Sequence, residues 1–205
     1  LGFTHLVYPG ATHTRFDHAL GVYHLATVAL GRIRENRRIP PEVLQGEHLI
    51  PYAALLHDIG HYPFSHALEE LEAEYVPTHH EEVSEQFLAS ASLRDALVPL
   101  GSTAPELLLE LISGQSQIPL RGLVSGALDL DKMEYLRRDA HFSGVPYGEV
   151  DVSRLLQGLA LLRDPDSGEY EVGVQEKAVA ALESLLFAKY QMFRNVYWHH
   201  AVRAA

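Results

Sequence analysis

The sequence predicts an all-α fold with one small β-hairpin near residues 159–174. Three observations predict it. Helix-start signals recur along the chain, hydrophobic residues make up 47% of its 205 residues, and one stretch combines partial apolar alternation with a turn rich in Pro, Asp and Gly. This length and hydrophobic content suit a single domain, residues 1–205, with a full buried core.

Composition narrows the classes of function. The chain has no cysteine, so it can form neither disulfides nor a thiolate metal site, and we expect a cytoplasmic protein. The chain has no uninterrupted apolar run of about 18 residues, so we expect no membrane span. No signal peptide is recognisable. A net charge of −11 argues against nucleic-acid binding. Because the chain begins with Leu1 and stops inside an apparent helix, we expect the natural protein to extend at both ends.

Capping patterns predict the helices in order. Thr14 and Asp17 form a capping box before an apolar helix that runs to Leu30, and a second helix leads into His57. Ser65, Thr78 and Thr103 mark further helix starts. We then expect one long helix over residues 121–141, the hairpin at 159–174, and a closing helix over residues 175–205.

The stretch from Tyr52 to His66 carries the strongest chemical signal. An apolar run ends in His57 and Asp58, and His61 and His66 follow after a helix-breaking Gly60. Buried imidazoles and carboxylates are costly unless something pairs with them, and a divalent metal prefers these ligands. The alternative is a His–Asp hydrogen bond that only caps a helix.

Two other segments carry polar groups in apolar surroundings. His18 begins the first core helix, where a hydrogen-bonded core histidine is the alternative to a ligand. Asp131 lies among apolar residues, and a solvent-facing, ion-paired helix face is the alternative there. Lys132, Tyr135 and Asp139 follow at helical spacing, so much of this set shares one face.

The order His18, His57-Asp58, Asp131 and the blocks around these residues resemble the HD-domain phosphohydrolases. The blocks Thr14–Val22, Leu56–His66, His80-Glu81 and Asp129–Tyr135 are similar to the deoxynucleoside triphosphate (dNTP) triphosphohydrolases, which include the SAM-and-HD-domain dNTPase and bacterial dGTP triphosphohydrolases. The matching blocks extend from about Arg15 to His199. The resemblance implies an HD-domain helical bundle around a metal site.

The resemblance also implies roles for individual residues. His18, His57, Asp58 and Asp131 match the four metal ligands, which leaves about two positions of an octahedral ion open. His61, Glu69 and His80 match the catalytic histidine, the acid that orients it and a second active-site histidine, with His79 as the alternative to His80. The residues that match the substrate pocket or offer polar tips to it are Arg15, His66, Glu81, Lys132, Tyr135, Asp139, Lys189, Arg194, Tyr197 and His199. Lys189 stands where the family often has arginine.

The implied activity is metal-dependent hydrolysis of a dNTP to deoxynucleoside and tripolyphosphate. The implied cofactor is one divalent ion per site, since Mn, Fe, Mg, Co, Ni and Zn all accept such ligands. Implied partners are the dNTP, an activating nucleotide and further copies of the chain in a dimer, tetramer or hexamer. Two alternatives stay open: a nucleotidase or phosphodiesterase that acts on another nucleotide, and a regulatory module that binds nucleotides without turnover.

Overall fold

The computed structural model describes residues 2–35, 39–63 and 80–204. It confirms the all-α fold with one small hairpin. Ten α-helices and two strands are described, namely α1 Arg15–Arg34, α2 Ile50–Leu56, α3 His80–Ala89, α4 Ala91–Leu97, α5 Ala104–Ile112, α6 Gly122–Ser125, α7 Leu130–Ser143, α8 Val152–Gly158, β1 Leu159–Arg163, β2 Tyr170–Val174, α9 Val179–Met192 and α10 His200–Ala204. In the described part of the chain, no helix is long and apolar enough to cross a membrane.

Helix α1 is the centre of the bundle because it packs against both α2 and α7. Small residues of α1 and α2, among them Ala26 and Ala53, are fully buried and let the two helices approach closely. Met133 and Leu136 of α7 are fully buried in the same core. Burial of this common apolar surface fixes the relative positions of α1, α2 and α7.

The predicted start of α1 is confirmed in atomic detail. The Thr14 hydroxyl accepts a hydrogen bond from the Asp17 amide at 3.2 Å, and the Thr14 amide donates to the Asp17 carboxylate at 2.9 Å. Both bonds of a capping box are therefore present. The box sets the first turn of α1, which carries His18.

The single long helix predicted over residues 121–141 is wrong. Helix α6 ends at Ser125, and α7 begins at Leu130 with Asp129 as an extended N-cap whose side chain accepts from the Lys132 amide. Glycine suits the break, because in the extended conformation of Gly126 a Cβ would lie 2.4 Å from the carbonyl oxygen of Gly122. Apolar periodicity continues on both sides of the break, so the pattern alone did not reveal it.

The closing helix predicted over residues 175–205 is also divided. A 3-10 turn at Glu176–Ala178 precedes α9, a π-turn at Phe193–Tyr197 follows it, and α10 begins only at His200. The extra residue of a π-turn changes which way the following side chains face.

The hairpin prediction is confirmed. β1 and β2 pair antiparallel, with Leu159 opposite Val174 and Arg163 opposite Tyr170. The Asp164 carboxylate accepts from the amides of Asp166 and Ser167 in the connecting turn, and Gly168 adopts a φ of +77°. The helix start predicted at Ser65 and the cap predicted at Thr78 lie outside the described residues.

Candidate metal centre

Three different elements contribute the groups of the candidate metal centre. His18 lies in the first turn of α1, His57 directly follows α2, and Asp131 lies in the first turn of α7. Nε2 of His18 is 3.0 Å from Oδ1 of Asp131 and 3.3 Å from Nε2 of His57. Nε2 of His57 is 3.5 Å from Oδ1 of Asp131. These three side chains form a group that could hold a metal ion.

Asp58 lies on the same side of the two imidazoles. Its Oδ1 is 3.3 Å from Nε2 of His57, and its Oδ2 is 4.0 Å from Nε2 of His18. Neighbouring ligands of an octahedral ion with bonds of about 2.1 Å stand about 3.0 Å apart. Mixed imidazole and carboxylate donors suit several divalent metals, so His18, His57 and Asp131 fit such an ion, with Asp58 beside them.

The other nitrogen of each imidazole is hydrogen-bonded away from this centre. Nδ1 of His57 is 2.8 Å from the Ala54 carbonyl oxygen, and Nδ1 of His18 is 2.6 Å from Oε2 of the buried Glu134. Neither a carbonyl oxygen nor an ionised Glu134 carboxylate has a proton to donate, so each Nδ1 is the donor. Each Nε2 then faces Asp131, and it offers a lone pair to a metal once it carries no proton.

The electrostatics reflect three acidic groups close to two histidines. Burial disfavours charge on His18, but its hydrogen bonds to Asp131 and Glu134 outweigh burial and raise its pKa to about 9. The pKa of His57 is also raised, against the effect of burial, by Asp131 and Asp58. For Asp131, hydrogen bonds from both imidazoles overcome burial and hold its pKa below the ordinary value. The carboxylates therefore favour positive charge at this site, which a divalent ion would also supply.

His61 lies beside this group. Its backbone amide donates to the Asp58 carbonyl oxygen at 3.0 Å, and its Nε2 is 3.5 Å from Oδ1 of Asp58. The side chain is 8% exposed, so the turn after α2 holds it against the candidate centre. The predicted residues His66 and Glu69 lie outside the described residues. His80 and Glu81 begin α3, but their side chains also lie outside the description.

A second polar group surrounds the buried carboxylate of Asp139 on α7. Oδ1 is 2.7 Å from Nε2 of His13, and Oδ2 accepts from the Tyr197 hydroxyl at 2.7 Å. The ring of Tyr135 meets that of Tyr197 edge to face, with centroids 6.3 Å apart. Burial, reinforced by nearby carboxylates, raises the pKa of both tyrosines, so both phenols stay protonated.

The other predicted pocket residues have different surroundings. The Arg15 guanidinium is half exposed and lies 3.1 Å from Oδ2 of Asp58. The Lys132 ammonium contacts the Asp129 carboxylate and the Gly126 carbonyl oxygen. Its positive charge is therefore paired with Asp129 in this conformation.

Three predicted pocket residues near the end of the chain contact neighbours in their own segment. Lys189 Nζ is 5.9 Å from the centre of the Phe193 ring, Arg194 donates to the Tyr190 hydroxyl, and His199 Nδ1 accepts from the Ala201 amide. Among the described residues, no hydrogen bond or ion pair joins Lys189, Arg194 or His199 to the candidate metal ligands.

Sequence reasoning missed four residues that the structure brings to this region: His13, Gly21, Glu134 and Arg138. Glu134 follows Asp131 by three residues, so helical spacing alone could have placed it on the same side of α7. Gly21 follows His18 by three residues in the same way. No local pattern marks His13, whose partner Asp139 is 126 residues away.

Comparison with known proteins identifies the family of the chain. Residues 15–136 match the HD domain family, and residues 150–205 match the HD associated region. An uncharacterized protein of Methanocaldococcus jannaschii is 34% identical over 205 residues, which are all of this chain and 40% of that protein. The deoxynucleoside triphosphate triphosphohydrolase SAMHD1 of Bos taurus is 29% identical over 97% of this chain and 39% of its own length.

A solved structure is similar throughout the chain. The crystal structure of a phosphohydrolase from Bacteroides thetaiotaomicron superposes with a TM-score of 0.80 and 30% identity, and the match covers 98% of this chain and 47% of that one. The chain thus spans less than half the length of these relatives. Because the HD domain match covers more than half of the chain and includes His18, His57, Asp58 and Asp131, this protein belongs to the HD-domain phosphohydrolase superfamily.

Proposed function

We propose that this protein is a metal-dependent dNTP triphosphohydrolase, which cleaves a dNTP to deoxynucleoside and tripolyphosphate. The observation that carries the proposal is the approach of His18, His57 and Asp131 to within 3.5 Å of one another, next to the Asp139–Tyr197–Tyr135 group. The first set suits a divalent metal and phosphate oxygens, and the second suits a sugar. The bovine relative is a deoxynucleoside triphosphate triphosphohydrolase, which supports the same substrate class.

The metal ligands in this proposal are His18, His57, Asp58 and Asp131. A divalent ion held by them would neutralise phosphate charge and acidify a water molecule. Arg15 is placed to contact the phosphates, because its half-exposed guanidinium already lies 3.1 Å from Asp58. Lys132 can add a second positive charge if its ammonium turns away from Asp129.

His61 is the proposed proton donor for the 5′-oxygen of the leaving deoxynucleoside. A donor has to lie within hydrogen-bond reach of the departing oxygen, and His61 lies beside Asp58 with its side chain largely shielded from solvent. Glu69 would orient His61, and His80 would be a second histidine of the active site. Hydrolysis breaks the bond between the α-phosphorus and the 5′-oxygen, water supplies the hydroxyl that phosphorus gains, and the 5′-oxygen leaves with the proton.

The sugar would lie against Tyr135, Tyr197 and Asp139. Both oxygens of Asp139 are already hydrogen-bonded, to His13 and Tyr197, so the carboxylate has a fixed orientation. The Tyr135 and Tyr197 rings, which meet edge to face, would form an aromatic wall that disfavours an additional 2′-hydroxyl by its shape. His66, Glu81, Lys189, Arg194 and His199 are the further proposed contacts of the substrate, and an activating nucleotide and a homo-oligomer are proposed partners.

The test incubates purified protein with each dNTP, singly and as a mixture, under a panel of divalent metals. The phosphate product is identified as tripolyphosphate, pyrophosphate or orthophosphate, and the matching ribonucleotides serve as controls for the sugar. We expect tripolyphosphate and deoxynucleoside, with slower turnover of ribonucleotides. Turnover in the mixture alone would reveal an activating nucleotide.

Other outcomes would contradict the proposal. Pyrophosphate or orthophosphate as the first product would place the cleaved bond elsewhere, and no turnover of any dNTP would favour another phosphoester or a binding module. An Asp131→Asn variant should lose activity, whereas Asp166→Asn in the exposed hairpin turn makes the same charge change far along the chain and should retain it.

A further inference from the structure

Glu134 is the most deeply buried acidic group next to the candidate metal centre. Its carboxylate contacts the nitrogen of His18 that faces away from Asp131 and His57. Its side chain is 8% exposed. Oε2 is 2.6 Å from Nδ1 of His18, whereas the proposed metal-binding atom of that ring is Nε2. Glu134 is therefore placed to act on the metal through His18 and not as a ligand.

Arg138 completes this arrangement one helical turn further along α7. Its Nε donates to Oε1 of Glu134 at 2.7 Å, and a terminal nitrogen lies 2.6 Å from the same oxygen. A buried carboxylate without such a partner would be unfavourable. With Arg138 on Oε1, the oxygen Oε2 is left to accept the Nδ1 proton of His18.

Gly21 provides the space for the Glu134 carboxylate. A Cβ at Gly21 would lie 2.1 Å from Oε1 of Glu134 and 2.6 Å from its Cδ, so the carboxyl group would have to move. Gly31, in the same helix, has no atom within 4 Å of an added Cβ. The two glycines therefore differ: a side chain at Gly21 would displace Glu134, and one at Gly31 would not.

We propose that Glu134 is a positioning residue for the metal centre: it fixes the ring of His18 so that Nε2 faces Asp131 and His57, and Gly21 keeps its place open. This inference rests on the proposed metal ligands. Hydrogen bonds to the far nitrogen of a ligating histidine set its tautomer and ring orientation, and their loss commonly weakens metal affinity about 10–100-fold. His57 obtains the same support from the Ala54 carbonyl group, so the effect should be specific to His18.

The test measures Mn²⁺ affinity of the metal-free protein by calorimetry, with no nucleotide present. We expect Glu134→Ala to raise the dissociation constant about 10–100-fold. Glu134→Gln keeps an acceptor for the Nδ1 proton of His18 and should lose less affinity. Gly21→Ala should also weaken binding, although alanine ordinarily favours a helix over glycine. Gly31→Ala and Glu183→Ala, the latter on the exposed face of α9, are the matched controls and should bind as the unmodified protein does.

Thermal unfolding of the metal-free variants separates positioning from a purely structural role. A lower midpoint in Glu134→Gln and Gly21→Ala with unchanged Mn²⁺ affinity would overturn the inference. So would equal weakening by Gly21→Ala and Gly31→Ala, or an unmodified protein that binds no divalent ion. Absence of dNTP hydrolysis together with the expected order of affinities would contradict the proposed function alone. If Glu134→Ala does not fold, the Gln and Gly21 variants still decide the question.

Discussion

Asp58 contacts both the candidate metal centre and the Arg15 side chain outside it. One oxygen lies 3.3 Å from Nε2 of His57, and the other lies 3.1 Å from the Arg15 guanidinium. Its side chain is 21% exposed, so it links the buried imidazoles to the more exposed Arg15. As a metal ligand, Asp58 would also orient Arg15, the proposed contact of the phosphates.

Removal of Asp58 tests whether it is a metal ligand. We expect Asp58→Ala to lose metal binding and hydrolysis together, because the ion would be left with too few ligands. The metal content of the purified variant and its Mn²⁺ affinity are the measurements. Asp166→Ala, in the exposed hairpin turn, is the control for loss of a carboxylate. Full metal retention by Asp58→Ala would show that the other three residues suffice.

His61 should behave differently, although it is only 3.5 Å from Asp58. As the proposed proton donor it would contribute to the rate and not to metal binding, so His61→Ala should keep its metal affinity. The rate of hydrolysis at saturating metal should fall on the order of 10²–10⁴-fold. An exposed histidine of α1, His24, provides the control substitution His24→Ala. If His61→Ala released the metal, the assignment of separate roles would be wrong.

At the scale of elements, the start of α7 decides where Asp131 lies. Asp129 is the N-cap, and its carboxylate accepts from the Lys132 amide at 2.9 Å and contacts the Lys132 ammonium. Asp131 follows two residues later in the first helical turn. A well-defined helix start therefore fixes one of the proposed ligands.

Substitution of Asp129 tests this dependence. Asp129→Ala should lower the free energy of unfolding by about 1–2 kcal/mol, since it removes a cap, and should weaken Mn²⁺ binding because the first turn frays. Asp129→Asn retains a capping oxygen and should cost less. The control is Asp151→Ala, which removes the cap of α8, where the Asp151 side chain accepts from the Arg154 amide.

Urea denaturation of the metal-free proteins and Mn²⁺ calorimetry give the two quantities needed. Both cap variants should lose stability, but only Asp129→Ala should lose metal affinity. Equal metal affinity in the two would mean that Asp131 keeps its position without the Asp129 cap.

Much of the helical frame could be predicted from sequence because its signals are local. Thr14 and Asp17 lie three residues apart, and the capping box that they predict is present. The hairpin turn is similarly determined by neighbours, since Asp164 binds the amides of Asp166 and Ser167. The break before α7 was missed because it depends on a close approach between Gly126 and Gly122 that apolar periodicity does not report.

The candidate site shows the same division. His57 and Asp58 were recognisable because they stand together at the end of an apolar run. The support of His18 by Glu134 was not, because it joins residues 116 positions apart. Lys132 was predicted to face the substrate, but its ammonium contacts Asp129 and Gly126. The contact between Glu134 and His18 depends on how α1 and α7 pack, which no short pattern specifies.

For the whole molecule, the candidate centre joins three parts of the chain. His18 comes from α1, His57 from the end of α2 and Asp131 from α7, and α1 packs against the other two. In the metal-free protein the nearby acids raise the pKa of both imidazoles, that of His18 to about 9. A bound ion would replace protons there and tie the three helices to one point.

Metal binding should therefore stabilise the entire fold, since the complete ligand set exists only when α1, α2 and α7 are packed together. At a free metal concentration about 100 times the dissociation constant, the gain is about 2.7 kcal/mol. For a chain of this size we expect the unfolding midpoint to rise by about 5–10 °C. Calorimetric scans with Mn²⁺ and with a chelator measure the shift. Asp131→Asn should lose it, whereas Asp166→Asn should keep it. The same shift in both variants would place the stabilising ion at a different site.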